Sequence, residues 1–232
     1  PYWGPAQLAG ISLEAGELSI FISASYICYN SSNTTETSGE SWFCNMAAPF
    51  MFSPTQNVFT VIGCNTLAFL NGGLDASYRT GCISTCDSMD AAAQDGDDCT
   101  GLGCCQTPIL KNLGAILVDW NDTNFNTPVD NPAWNYIPCS YAFVAQKDWY
   151  QFRRQDLIRN GTESFLTRGG ERMPVVLDWA ISSNGSCGEA GIAPACVSAH
   201  SYCVNPYKGM GICAIAPRGT WAIHTSWTDA QH

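Results

Sequence analysis

Three cysteines fall within the stretch CTGLGCCQ, at Cys99, Cys104 and Cys105. Thiols so close together could ligate a metal, cycle as a redox pair or close disulfides. Structural zinc favours C-x2-C knuckles, which let two thiolates converge on one ion. Here Cys99 and Cys104 are five apart and Cys105 follows directly, while the only histidines, His200, His224 and His232, lie at least 95 residues away. No C-x-x-C dithiol exists; the nearest approach, Cys82-Ile83-Ser84-Thr85-Cys86, has three residues between its thiols. Disulfides remain. Adjacent side chains diverge, so Cys104 and Cys105 are expected to reach two different partners, with Gly101 and Gly103 giving the backbone the freedom that close bridges need.

Two charged segments also carry chemistry. Asp87–Asp98, DSMDAAAQDGDD, holds five aspartates but lacks the D-x-D-x-D-G alternation and the glutamate at position twelve of an EF-hand. It reads as a solvated acidic loop, and no metal site is expected. The basic residues are unevenly spread: Lys147, Arg153, Arg154, Arg159, Arg168 and Arg172 place six of the ten within 26 residues, beside Trp149, Tyr150 and Phe152. Guanidinium groups fork onto carboxylates and aromatic rings offer flat apolar faces. The competing reading is that these cations pair with Asp148, Asp156, Glu163 and Glu171 in the same window. Catalysis finds no comparable support. There is no G-x-S-x-G elbow and no histidine beside a candidate nucleophile, and among twenty acidic residues some carboxylate pair must fall at glycosidase spacing by chance.

Composition sets the compartment. The thirteen cysteines, Cys28, Cys44, Cys64, Cys82, Cys86, Cys99, Cys104, Cys105, Cys139, Cys187, Cys196, Cys203 and Cys213, indicate an oxidising environment and allow at most six bridges with one thiol left over. Charged residues make up only 13% of the 232 positions, against 46% hydrophobic, so the surface must be dressed in neutral polar groups or in sugar. Five N-x-S/T sequons, at Asn30, Asn33, Asn121, Asn160 and Asn184, offer the sugar. No run of 18 apolar residues is present, and the opening PYWGPAQ is no signal peptide, so the chain is expected to begin after processing or inside a longer precursor. A net charge of −10 argues against nucleic acid and against anionic membrane surfaces.

The elements that must position these groups alternate with period two. Leu18–Tyr26, Val58–Cys64, Thr66–Leu70, Ala115–Trp120, Ser140–Val144 and Pro174–Ile181 read as strands, separated by Gly, Asn, Pro and Ser clusters. One segment differs: apolar Trp149, Phe152, Leu157 and Ile158 predict a short helix over Lys147–Arg159, ended by Asn160-Gly161. On such a helix Tyr150 and Arg154 share one face. The fold class expected is mainly β, with disulfide-stapled sandwich-like sheets and one short helix.

In this order the motifs resemble the extracellular region of plant wall-associated receptor kinases, the galacturonan-binding ectodomain. The resemblance is carried by ISLEAGELSI, Ser25-Tyr26-Ile27-Cys28-Tyr29-Asn30, PFMFSPTQNVFTVIGCNTLAFL, Gly81–Cys86, CTGLGCCQTPI, Pro138–Val144 and Pro174–Trp179, and covers roughly residues 10 to 213. It implies a galacturonan-binding-like β domain over 1–110, N-terminally incomplete because the family's YPFG-like stretch is missing. A kinase-associated β region packed with it over 111–186, a partial EGF-like module over 187–213 and a tail over 214–232 complete the layout. The EGF-like pattern breaks at Cys213-Ala214-Ile215, which makes Cys213 the candidate odd thiol and leaves the other twelve cysteines to the bridges.

The implied location is secreted or extracellular, in the plant cell wall or at the outer face of the plasma membrane, held there by a transmembrane segment outside this chain. No glycine-rich loop, VAIK-like lysine or HRD motif appears, so no enzyme is expected. The implied partner is acidic cell-wall polysaccharide, pectin or an oligogalacturonide. For it, Lys147, Trp149, Tyr150, Arg153, Arg154, Arg159, Arg168 and Arg172 are the candidate contacts. No cofactor is implied, with calcium entering only as a bridge between pectin and the aspartate loop. The alternative function is an apoplastic immune module that binds a pathogen protein or peptide.

Overall fold

A computed structural model describes residues 2–3, 6–12, 15–29, 35–37, 41–46, 50–73, 77–120, 136–158, 165–170, 172–179, 202–204 and 213–215. Their strands, numbered in chain order, form three larger antiparallel sheets. The first runs β1 (Tyr2–Trp3), β2 (Ala6–Ser12), β3 (Glu17–Ile22), β14 (Met173–Trp179), β7 (Phe50–Phe52). The central sheet runs β11 (Cys104–Pro108), β8 (Asn57–Ile62), β13 (Cys139–Gln146), β4 (Ser25–Tyr29), β5 (Thr35–Thr37). The third runs β10 (Tyr78–Ser84), β9 (Thr66–Gly72), β12 (Ala115–Trp120), β6 (Ser41–Asn45). A separate pair, β15 (Tyr202–Val204) and β16 (Cys213–Ile215), is what the described residues hold of the expected EGF-like segment. The fold is mainly β, as the alternation predicts.

The central sheet packs on both of the others, through β13 against β14 and through β8 and β11 against β9 and β10. Strands covered on both faces should be apolar throughout rather than strictly alternating. That is how β13 reads: Tyr141, Ala142, Phe143, Val144 and Ala145 are all buried. In β8 the same burial takes in Phe59, Thr60, Val61 and Ile62. By contrast β3 alternates, with Leu18, Ile20 and Ile22 inward. Each larger sheet takes one strand from the segment 111–186 (β12, β13 or β14), so this segment and 1–110 share one hydrogen-bonded framework.

Two sequence expectations change here. The stretch Leu18–Tyr26 is two strands, because the chain bends at Ser23–Ala24 and passes from the first sheet to the central one. No glycine or proline marks that bend. The motif FTVIGCNT makes a second crossing, from β8 into β9. Gly63 has φ +147°, and a Cβ there would lie 2.5 Å from Ser140 Oγ, so only glycine fits the corner. Asn65 then takes the left-handed conformation at φ 52° that asparagine tolerates.

Disulfides fasten these crossings. Cys64–Cys86 ties the corner to the end of β10, and Cys82–Cys105 joins β10 to β11 across two sheets. Cys28–Cys139 links directly opposed residues of β4 and β13, and Cys99–Cys104 closes the short loop before β11. Cys104 and Cys105 therefore do reach different partners. One expected bridge residue is corrected: the Cys44 thiol is free, buried on β6 where the strand turns it inward. Cys187 and Cys196, the side chains of Cys203 and Cys213, the tail beyond 215 and all five sequon asparagines lie outside the described residues.

Candidate functional site: an aromatic pocket over a buried carboxylate

The segment after β13 is not a helix. Lys147 N–H donates to Gln56 O at 2.7 Å, and Asp148 turns the chain through a left-handed conformation at φ 63°. After this turn the chain forms neither helix nor strand up to Arg153, which is itself extended, and a single 3-10 turn covers Arg154–Leu157. The helical reading fails because Phe152 and Leu157 are both buried from a non-helical backbone, and local periodicity cannot distinguish that from one amphipathic face. Tyr150 and Arg154 consequently do not share a face.

Extended backbone sends successive side chains to opposite sides. At Arg153 (φ −137°, ψ 130°) this separates Phe152 and Arg154 from Arg153 itself. Phe152 is wholly buried against Gly103, where a Cβ would come within 2.8 Å of the ring. Arg154 donates from Nε to Ala93 O at 2.9 Å and from Nη2 to Ala92 O at 2.8 Å. Its backbone N–H bonds Asp95 Oδ1 at 2.7 Å, and Gly96 N–H bonds Phe152 O at 2.8 Å. The acidic loop Asp87–Asp98 keeps its aspartates exposed, as expected, but it is a docked loop gripped by Arg154.

Arg153 faces the other way, over a pocket of about 470 Å³. Asp148, Trp149, Tyr150, Gln151, Asp156, Phe165, Arg168 and Gly169 complete its lining. Its walls are anchored in the central sheet. Phe143 of β13 stacks on Phe165 with centroids 5.1 Å apart, and Tyr150 stands edge-on to both at 5.7 and 5.8 Å. Trp149 meets Phe143 edge-on at 6.2 Å, each such pair adding about 1 kcal/mol beyond its area. The turn Leu166–Gly170 lies close under the indole, since a Cβ on Gly169 (φ +155°) would be 3.4 Å from Trp149 Cζ2.

At the base, the Asp156 carboxylate is only 3% exposed. It forms an ion pair with Arg168 and accepts a hydrogen bond from Tyr150 O–H at 3.1 Å. Burial raises the Tyr150 phenol well above its ordinary pKa, outweighing the opposite pull of the Arg153 backbone and of the Arg168 and Arg153 charges. The phenol therefore stays protonated and remains a donor to Asp156. The pair is needed structurally: a buried carboxylate without its counter-ion costs several kcal/mol.

Of the eight contact residues expected from sequence, Trp149, Tyr150, Arg153 and Arg168 line this pocket. Arg154 is spent on the acidic loop, and Arg172 lies over the Phe21 ring at 4.9 Å. Lys147 is exposed outside the pocket lining, and Arg159 lies outside the described residues. Sequence reading missed Phe165, Gln151 and Gly169, which carry no local motif. Asp156 was legible only as a pairing partner, a role it does fill with Arg168.

Comparison with known proteins decides the kinship. The chain is 30% identical over 215 residues to wall-associated receptor kinase 3 of Arabidopsis thaliana, a match covering 88% of this chain. It is 29% identical over 90% of its length to wall-associated receptor kinase 2, and 28% over 85% to wall-associated receptor kinase 4, both of the same plant. The chain is related to the plant wall-associated receptor kinases. It spans about a quarter of their length, 25–26%, and the part matched is their extracellular region, without the kinase domain. These residues form a receptor-like extracellular region and hold no kinase. No family model matches the chain, and no solved structure does. No helix among the described residues is long and apolar enough to cross a membrane.

Proposed function

We propose that this chain binds an acidic cell-wall polysaccharide, a pectic galacturonan, in the pocket between Trp149 and Arg153, as the sensing part of a receptor. The observation that carries this reading is the pairing of a half-buried indole with an exposed guanidinium over a polar pocket base. A sugar ring can lay its apolar face on Trp149 while Arg153 takes a carboxylate and the Tyr150–Asp156–Arg168 group meets hydroxyls. The relationship to receptors named for the cell wall supports the same class of ligand.

Calorimetric titration of the glycosylated chain with oligogalacturonides and with a neutral galactan, at low and high salt, tests it. Oligogalacturonide should bind and the galactan should bind less well, while Trp149→Ala should weaken binding about tenfold, the equivalent of about 1.4 kcal/mol. No binding at low salt, or equal binding of the neutral polymer, refutes the proposal. Salt-tolerant binding of a protein partner instead would favour a protein-recognition role.

A further inference from the structure

We infer that the outer face of the third sheet docks a second copy of this chain, forming a weak two-fold dimer; this goes beyond the sugar reading and does not depend on it. An antiparallel sheet with one face in the core should carry polar residues on the other. The inner face obeys: Ala68, Leu70, Cys82 and Val118 are buried, and Cys82 is bonded to Cys105 of the central sheet. The outer face does not. Ile83 stands 44% exposed, directly opposite Leu67 of β9. A Cβ on the exposed Gly81 would lie 3.0 Å from Phe69 Cε1 and 3.6 Å from Leu67 Cδ1, so the Phe69 ring lies across β10 above Gly81. Leu117 of β12 points the same way, between the buried Ile116 and Val118. Exposed apolar bands of this kind mark contact surfaces. No sequon occurs between Asn33 and Asn121, so no strand of this sheet carries a glycan acceptor that would hold a protein off the face.

The charges select the occupant. Arg79 and Asp119 are the only charged residues in the four strands, so the face is neutral on a chain of net charge −10. Two such chains repel one another over most of their surface and can approach only where charge is balanced. Arg79 lies over the Phe69 ring, its Cζ 3.9 Å from the centroid, and its Nη2 is 3.7 Å from Asp119 Oδ2. That separation is beyond hydrogen-bond reach, and the two side chains are 55% and 41% exposed, so both keep capacity for a partner. A two-fold axis through the face sets Arg79 of each copy opposite Asp119 of the other, the reciprocity an isologous contact requires. A strongly acidic partner would meet Asp119 and a strongly basic one Arg79. Size limits the strength. Four strands about 4.8 Å apart and about seven residues long give a footprint of roughly 400 Å², about half the ~800 Å² per partner of a standard interface. The dimer is therefore weak and reversible.

Sedimentation equilibrium of the glycosylated chain, from low to high micromolar concentration and at low and high salt, tests this. A monomer–dimer equilibrium should appear, with an association constant that holds or rises by up to about tenfold at high salt, because screening relieves the repulsion between two acidic chains and leaves apolar burial intact. Ile83→Asp should weaken association about tenfold or more, since it buries a charge in the contact. Its melting temperature should stay within about 2 °C of the parent, as expected of an exposed position. Arg79→Glu and Asp119→Lys should each self-associate about tenfold more weakly, by setting like charges face to face, while an equimolar mixture of the two should recover the dimer. A chain that stays monomeric throughout, or a dimer that Ile83→Asp leaves unchanged, overturns the proposal. So does a dimer that dissociates as salt rises, which would place a charge-driven contact elsewhere on the surface. A mixture no tighter than either charge variant alone overturns the two-fold pairing of Arg79 with Asp119.

Discussion

Asn57 joins two sheets with its side chain, and its replacement gives the sharpest test of how the scaffold under the pocket is held. It is fully buried at the start of β8. Its amide imitates a neighbouring strand: Nδ2 donates to Val176 O at 2.6 Å and to Ser53 O at 2.8 Å, while Oδ1 accepts from Val176 N–H at 2.9 Å. Val176 belongs to β14 of the first sheet, so these bonds couple it to the central sheet that carries Phe143. Asn57→Leu keeps the volume and removes all three. The two bonds from Nδ2 are worth about 1 kcal/mol each, and the Val176 N–H is left buried without a partner, a desolvation cost of about 1–3 kcal/mol. The expected loss is about 3–5 kcal/mol, a large share of the 5–15 kcal/mol that domains typically hold. Urea denaturation should show a lower midpoint with unchanged slope, and the melting temperature should fall by at least about 6 °C for a chain of this size. Asn57→Asp should be worse than leucine at neutral pH, because it keeps the acceptor but buries a charge facing two carbonyls. A loss below about 1 kcal/mol for Asn57→Leu would refute the idea that this amide completes the sheet junction.

Other perturbations probe the remaining links. Arg154→Met keeps the aliphatic stem but loses both carbonyl bonds; with about 1.5–3 kcal/mol for a hydrogen bond to a charged group, discounted for partial exposure, about 2 kcal/mol of destabilisation is expected. Amide exchange at Gly96 should rise with it, and unchanged protection there would show that the acidic loop holds its place without the arginine. For Cys44, burial raises the thiol from 9.0 to about 11. The folded chain then holds a proton that the unfolded chain releases first, so stability is fully present below about pH 9 and declines as pH rises towards 11. The two-unit gap corresponds to about 2–3 kcal/mol. Mass-spectrometric mapping should find the Cys44 peptide unalkylated by iodoacetamide at pH 8 in the native chain and alkylated after denaturation; native labelling would contradict a buried thiol.

Much of this protein was legible without coordinates. Short apolar runs rich in β-branched and aromatic residues, bounded by Gly, Asn, Pro and Ser clusters, identified Ala115–Trp120 to the residue and most of β8, β9, β13 and β14, because a strand between covered faces must be apolar. Adjacency alone dictated that Cys104 and Cys105 diverge, and composition gathered Trp149, Tyr150, Arg153 and Arg168 in one window before any contact was known. What escaped was every relation across long sequence distance. Period two says which face of a strand is buried but not which strand lies alongside, so the hand-over at Ser23–Ala24 between two sheets left no local mark. The same limit governs the arginines. Arg153 and Arg154 are neighbours of one type, yet Arg154 is claimed by carbonyls 61 and 62 residues away while Arg153 is left over the pocket. Sequence determined which groups could bind an acidic sugar; the tertiary structure decided which remain available, because a cation already satisfied by a buried carboxylate or a carbonyl has little left to offer a ligand.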